Sequence, residues 1–178
     1  LHTNNAVATI TRLRNLGIPS YLIASTITGI VAQRLVRVIC PSCKKVEKGG
    51  RQDLAKLGLG EIDPENLRFF RGVGCPNCAG VGYRGRTGIY EVLVLTEKMR
   101  DLIAEEAPES ALRQAALSQG MRTLAQAGLQ KVLEGFTSMG ELLRVICTDS
   151  EVSAHPSDFA ESDRRDRAPP QEAPRTAA

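Results

Sequence analysis

Tryptophan is absent from this chain, and phenylalanine and tyrosine together make up only 4% of it. A core drawn from these residues is aliphatic. A nucleic-acid platform built on base stacking has few rings to draw on. Histidine occurs only at His2 and His155. No apolar run reaches the ~20 residues of a membrane-spanning helix; the longest, Leu22 to Ala32, is interrupted by Ser25, Thr26 and Thr28. The opening Leu1-His2-Thr3-Asn4 lacks the basic, apolar and small-residue order of a secretory leader. An initiator methionine is also missing, which points to a piece of a longer protein. The phosphate-cradling pattern G-x-x-x-x-G-K-[ST] is not found. An excess of charge of one sign is lacking as well: 23 basic residues against 20 acidic ones leave a net +3, too little to argue for nucleic acid or membrane.

Five cysteines are present, and four of them fall into two pairs, Cys40-Pro-Ser-Cys43 and Cys75-Pro-Asn-Cys78. A two-residue spacing lets both sulfurs of a pair turn toward one ion. Four thiolates make a closed tetrahedral site with no position left for a catalytic water. The spacing therefore predicts structural zinc held by Cys40, Cys43, Cys75 and Cys78, although tetrahedral sulfur also suits iron. A dithiol redox role needs one low-pKa pair at a βα junction; two matched pairs, each preceded by a strand, fit a metal better. Cys147 is left over and is predicted to be neither ligand nor disulfide partner. An odd count without a leader indicates a reducing compartment.

Four regions separate by pattern. Residues 1–35 read as two helices. The first carries Ala6, Ile10, Leu13 and Leu16 and stops at Gly17 and Pro19. The second opens after Ser20 and carries Leu22, Ile23, Ile27, Ile30, Val31 and Leu35. Residues 36–95 hold the cysteines, with strands expected at Val36–Ile39, Leu67–Arg71 and Ile89–Leu95 and a short helix at Asp53–Leu59. Residues 96–147 read as a helical bundle, in which Ser138 and Glu141 form a capping box for the last helix. Residues 148–178 have no apolar period and read as a disordered tail. That tail carries seven acids and four arginines, so it is net −3 and residues 1–147 are net +6.

Several motifs have a plainer reading beside the functional one. Cys75 to Gly82 fits C-x-x-C-x-G-x-G and is similar to the zinc repeat of Hsp40-type co-chaperones. Those carry four copies and only one fits here, so the glycines are read as permitting a sharp turn. Gly80 to Gly88 is a glycine-rich turn leading into the Ile89 strand, with Arg84 and Arg86 able to reach an anion supplied elsewhere. Arg34, Arg37, Lys44 and Lys45 gather near the first pair. They read as a solvated face, and no nucleic-acid partner is expected.

Taken together, several stretches resemble one family. Leu1-His2-Thr3-Asn4-Asn5-Ala6 resembles the His box of the hexameric ATPases that drive type II secretion and type IV pilus assembly. Val31 to Arg37 resembles the segment before that family's tetracysteine module, and Gly82 to Glu91 the segment after it. Gly120-Met121-Arg122-Thr123-Leu124 and Gly135-Phe136-Thr137-Ser138 resemble its C-terminal helices. The likeness runs collinearly from residue 1 to about 147. It is closer to the type II secretion branch than to the pilus retraction ATPases, which lack the cysteine module.

The resemblance implies an α/β fold, the end of a RecA-like P-loop core over residues 1–35. A mostly helical remainder would follow, with a small β-containing zinc module. It implies a homo-hexamer that hydrolyses ATP with Mg²⁺ at the cytoplasmic face of the inner membrane, beside the membrane-platform proteins of the secretion machine. His2 would act near the terminal phosphate, and Arg34, Arg84 and Arg86 would make charge contacts. The Walker A loop, Walker B acid and Asp box would all precede Leu1, so this stretch alone is expected to be inactive. The alternative reading is a zinc-ribbon adaptor that binds protein or nucleic acid.

Overall fold

The computed structural model of the chain describes residues 3, 5–48, 51–65 and 67–147. Seven α-helices and two small antiparallel sheets are interleaved among them. None of these helices is long and apolar enough to cross a membrane. The tail read above as disordered lies outside the described residues, as does His2.

Helix α1 spans Ala6–Asn15 and begins where the Asn5 side chain accepts the Ala8 amide at 2.7 Å. Helix α2 spans only Ser20–Thr26, not the expected length to Leu35. Strand β1, Gly29–Ile39, takes over instead. The physical reason lies in the β-branched run Ile27-Thr28 and Ile30-Val31 around Gly29, which suits a pleated strand better than a helix. The apparent helical stripe is split between the two strand faces. Ala32 and Val36 are buried, while Val31 and Leu35 point to solvent.

β1 pairs antiparallel with β4, Tyr83–Val94, from Gly29 opposite Val94 to Ile39 opposite Tyr83, with an irregularity between Arg37 and Ile39. The expected Gly80–Gly88 turn is therefore mostly strand: it ends at Tyr83. One face of the ribbon is buried through Ala32, Val36, Ile89, Glu91 and Leu93. It packs into one apolar cluster with Val7 and Ile10 of α1 and with the C-terminal helices. Those helices are α4 (Glu97–Ala104), α5 (Glu109–Ser118), α6 (Leu124–Leu133) and α7 (Met139–Cys147). Met99, Ile103, Leu112 and Leu142 are fully enclosed there, so the stripes read from the 3.6-residue period do face the core.

The second sheet pairs β2 (Lys44–Glu47) with β3 (Phe69–Gly72). Between them lies α3 (Arg51–Lys56), which buries Leu54. Asp53 falls in its first turn and is not its cap.

The two cysteine arms meet through glycine backbones. A Cβ on Gly72 would overlap the Gly82 carbonyl, and Gly82 itself sits at φ +81°. Gly82 in turn accepts the Cys40 amide at 3.0 Å. Gly72→Ala is expected to push the arms apart and cost ~2–3 kcal/mol of stability. The check is a denaturation midpoint alongside metal affinity, and an unchanged midpoint would contradict this account of the close approach.

Candidate metal centre

Each cysteine pair sits on a single turn of 3₁₀ helix, Pro41–Cys43 and Pro76–Cys78. Proline at the first helical position presets φ and has no amide to leave unpaired. Cys40 directly follows β1, and Gly82, just before β4, holds its amide. Val73, just after β3, donates to the Cys43 carbonyl at 3.1 Å. The β1–β4 ribbon and the β2–β3 sheet thus present two turns face to face.

The four sulfurs lie within 4.8 Å of one another. Cys40 and Cys75 are 3.8 Å apart, Cys43 and Cys78 3.9 Å, and Cys75 and Cys78 3.6 Å. Four sulfurs each ~2.3 Å from one ion stand ~3.8 Å apart along the tetrahedron's edges. The set therefore fits a tetrahedral metal ion. These separations are far beyond a disulfide's ~2.05 Å, so Cys40, Cys43, Cys75 and Cys78 are not joined to one another by disulfides.

Electrostatics prepare the sulfurs for a cation. Burial pushes the Cys78 thiol up, but the amides of Gly82 and Cys75, aimed at its sulfur from 3.2 and 3.3 Å, outweigh burial and bring it down to about 6. Cys75 is pushed up to about 11, first by burial and then by its hydrogen bonds to Cys78 and Cys40. Burial likewise raises Cys43. Without an ion, Cys78 favours the thiolate while Cys75 and Cys43 favour the thiol; a divalent ion draws all four ligands toward the thiolate.

Cys147 stands apart. It closes α7, and its Sγ lies 3.9 Å from the Lys56 carbonyl.

The three arginines expected to contact phosphates do not share a place. Arg34 donates to the carbonyls of Thr3 and Gln33, both at 3.1 Å. Its position on β1 faces the helices, whereas Arg86 stands opposite Arg37 on the other face of the ribbon. Arg84 and Arg86 are exposed.

Two buried carboxylates carry the architecture around the centre, and neither role is visible in a local pattern. Glu91, 2% exposed, accepts the first amides of two helices: Ala6 of α1 at 2.7 Å and Leu124 of α6 at 3.1 Å. Two helix N-termini converge on one negative charge. Glu141 was expected to reach back to its own helix start. Only half of that box forms: the Glu141 amide donates to Ser138 Oγ at 3.2 Å. The carboxylate goes instead to Arg37, whose Nε and backbone amide each donate from 3.0 Å, and to Arg144, whose Nε donates from 2.9 Å. Arg37 also lies over the Tyr83 ring, and its carbonyl accepts the Thr137 hydroxyl at 2.8 Å. The arm leading to Cys40 is thereby fastened to the α6–α7 turn.

Comparison with known proteins identifies the family. Residues 1–144 match the family described as Type II/IV secretion system protein. Type II secretion system protein E of Pseudomonas aeruginosa is 44% identical over 145 residues, 82% of this chain and 28% of that protein. Type II secretion system ATPase E of Vibrio cholerae is 41% identical over 145 residues, with the same two shares. Type IV pilus assembly ATPase PilB of Thermus thermophilus is 38% identical over 143 residues, 80% of this chain and 16% of that protein. The chain thus spans little more than a quarter of the length of such relatives. With most of its residues matched and its four cysteines gathered at metal-binding distance, the chain belongs to the Type II/IV secretion system protein family.

Proposed function

We propose that this chain is the C-terminal part of an ATPase that powers type II secretion by driving pseudopilus assembly. The observation that carries this reading is the 41–44% identity to type II secretion proteins across 145 residues, supported by the tetrahedral cysteine set. In this reading residues 1–35 end a RecA-like core, 36–95 form a zinc module, 96–147 a helical bundle and 148–178 a tail. The parent works as a homo-hexamer at the cytoplasmic face of the inner membrane, against the platform proteins of the secretion machine.

The metal is zinc, held by Cys40, Cys43, Cys75 and Cys78, and it is structural because four thiolates leave no open position. ATP with Mg²⁺ supplies the phosphoryl group. Enzymes of this class act by positioning and electrostatics. This chain contributes His2 near the terminal phosphate. Arg84 and Arg86, exposed on β4, are available to an anion on a neighbouring subunit. Arg34 holds Thr3, one residue beyond His2, by its carbonyl, so its charge contact is intramolecular.

The test compares residues 1–178 alone with the same chain joined to its upstream coding segment. The isolated chain is expected to show no ATPase activity above background, and the joined chain to turn over as an oligomer. His2→Ala in the joined chain is expected to lower kcat by ~10²-fold or more with KM little changed, as for a group acting mainly in the transition state. Magnesium-dependent hydrolysis by residues 1–178 alone would move the active site into this chain. An upstream segment without a phosphate loop would favour the zinc-ribbon adaptor.

A further inference from the structure

One edge of the β1–β4 ribbon is left open. The Leu95 amide donates to the Thr28 carbonyl at 3.0 Å, one step outside the Gly29–Val94 pair. In an antiparallel ladder that bond marks Gly29–Val94 as a pair with no mutual hydrogen bonds, and the pattern alternates from there. Leu93, Glu91, Ile89 and Thr87 therefore turn their amides and carbonyls toward β1. Val92, Tyr90 and Gly88 turn theirs the other way, to the outer edge of β4. Among the described residues no backbone group pairs with these three outward amides. The stretch Gly88–Val94 also has none of the lysines or prolines that blunt an exposed edge.

A cavity lies along that edge. It holds about 400 Å³ and is lined by Gly88, Tyr90 and Val92 on one side and by Met121, Arg122 and Lys131 on the other. No β1 residue lines it, which places it on the outer side of β4. The Tyr90 ring lies over Gly88, where a Cβ would overlap it. Glycine inside a strand leaves room for a second backbone to approach closely. Tyr90 and Val92, each 49% exposed, offer an apolar strip.

The charge of the lining has one sign. Arg122 and Lys131 are basic, and no carboxylate is among the lining residues. Lys131 is engaged by Glu134 at 2.9 Å. Arg122 is exposed and donates from one terminal nitrogen to Gln130 Oε1 at 3.0 Å. A guanidinium carries five N–H donors, so Arg122 has donors left for an anion.

We propose that an extended acidic segment of another protein adds as a further strand to the outer edge of β4. Its backbone pairs with the outward amides and carbonyls of Gly88, Tyr90 and Val92, and these main-chain bonds supply most of the affinity. From Gly88 to Val92 the edge runs ~13 Å, the length of about five extended residues. The partner's side chains alternate between the Tyr90–Val92 strip and the cavity beside Met121, and a carboxylate meets Arg122. A second copy of this chain is a poorer occupant, because two such edges brought together would add one basic lining to another with no acid between them. Strand addition here is independent of ATP hydrolysis, and stands or falls separately from the function proposed above.

The test uses the full 178-residue chain. The probe is a capped peptide of alternating valine and threonine with glutamate at both ends. At saturating peptide, amide hydrogen exchange read by NMR is expected to slow ~10-fold or more at Gly88, Tyr90 and Val92, and to change far less at Ile89, Glu91 and Leu93, which already pair with β1. The same peptide N-methylated throughout keeps its side chains but donates no amide, and is expected to bind ~10-fold more weakly or worse. Val92→Pro removes an outward donor without touching the β1 ladder, and is expected to abolish binding while exchange at Met99 and Ile103 stays as it was. Arg122→Glu is expected to weaken the glutamate-ended peptide and to favour a lysine-ended one. Three results each overturn the proposal: protection with no preference for the three outward amides, equal binding of the N-methylated peptide, or equal binding of the lysine-ended peptide to the natural chain. Protection of the same amides that rises with protein concentration in the absence of peptide assigns the edge to a second copy and overturns it too.

Discussion

Removing the metal from the native chain is expected to unfold the two cysteine turns and the β2–β3 sheet while α4–α7 keep most of their helix. Three of the separations among the four sulfurs already stand at 3.6 to 3.9 Å, near tetrahedral edges, so a metal ion can be bound without rearranging the arms. Structural zinc contributes on the order of 10–16 kcal/mol in small finger peptides at neutral pH. The turns have little apolar packing to hold them: three cysteines with Cys75 packed against them form a separate small cluster, and the rest is a few backbone hydrogen bonds. The helices bury Met99, Ile103, Leu112 and Leu142 in the larger aliphatic cluster, which does not depend on the ion. Phe69 and Leu54 also belong to that cluster, so β3 and α3 keep an anchor at one end.

Chelation followed by hydrogen exchange is expected to show exchange rising by orders of magnitude at 40–47 and 72–82 and little at 99–103. Cys40→Ser is expected to behave as chelation does. Thiol titration with metal bound is expected to find one reactive group, Cys147, and five after chelation. The pH dependence has a definite sign. Binding needs four thiolates, and the metal-free Cys75 thiol holds its proton up to about 11. Protons therefore compete with the ion, and affinity falls as pH falls. Elemental analysis with no zinc, or a Cys40→Ser chain with unchanged exchange, would contradict the centre.

What sequence made legible divides by distance along the chain. The ligands were readable because two cysteines three positions apart on one turn are a local pattern. Helices α4 to α6 were readable because Met99 with Ile103, Leu112 with Ala116 and Leu129 with Val132 repeat at the helical period and do face the core. β1 was misread between Ile27 and Leu35. There the apolar residues satisfy a helical spacing, and only pairing with β4, some sixty residues on, shows which of them point inward. Glu91 gave no local signal: its partners, Ala6 and Leu124, are 85 and 33 residues away. Glu141 gave a misleading one. Ser138 three residues before it suggested a capping box, yet the carboxylate is occupied by Arg37, 104 residues earlier. A local rule prices the nearest amide; burial beside two guanidinium groups offers more.

The buried Glu141 carboxylate contributes to the acid stability of the fold. Glu141 has a fully buried side chain, while its partners Arg37 and Arg144 are 40% and 57% exposed. Burial by itself would push its carboxyl up. The hydrogen bonds from Arg144 and Arg37 outweigh burial and hold it at about 2. An unfolded glutamate titrates near 4.3. The folded form therefore binds its proton later than the unfolded form, and the group stabilises the fold above the unfolded value. That contribution is constant above about pH 5, declines through the window between about 4.3 and 2, and is gone below it. Discounted for the solvent share of the two arginines, it amounts to on the order of 2–3 kcal/mol. Glu141→Gln keeps the shape but loses the charge, and is expected to lower stability at neutral pH by about that amount or more, since Arg37 then loses its carboxylate. Urea midpoints taken from pH 7 down to pH 2 check both parts. The natural chain is expected to lose stability more steeply than the variant below pH 4.3, until the two curves converge near pH 2. Parallel curves across that range would show that the Arg37–Glu141–Arg144 cluster is not what fastens the cysteine arm to α7.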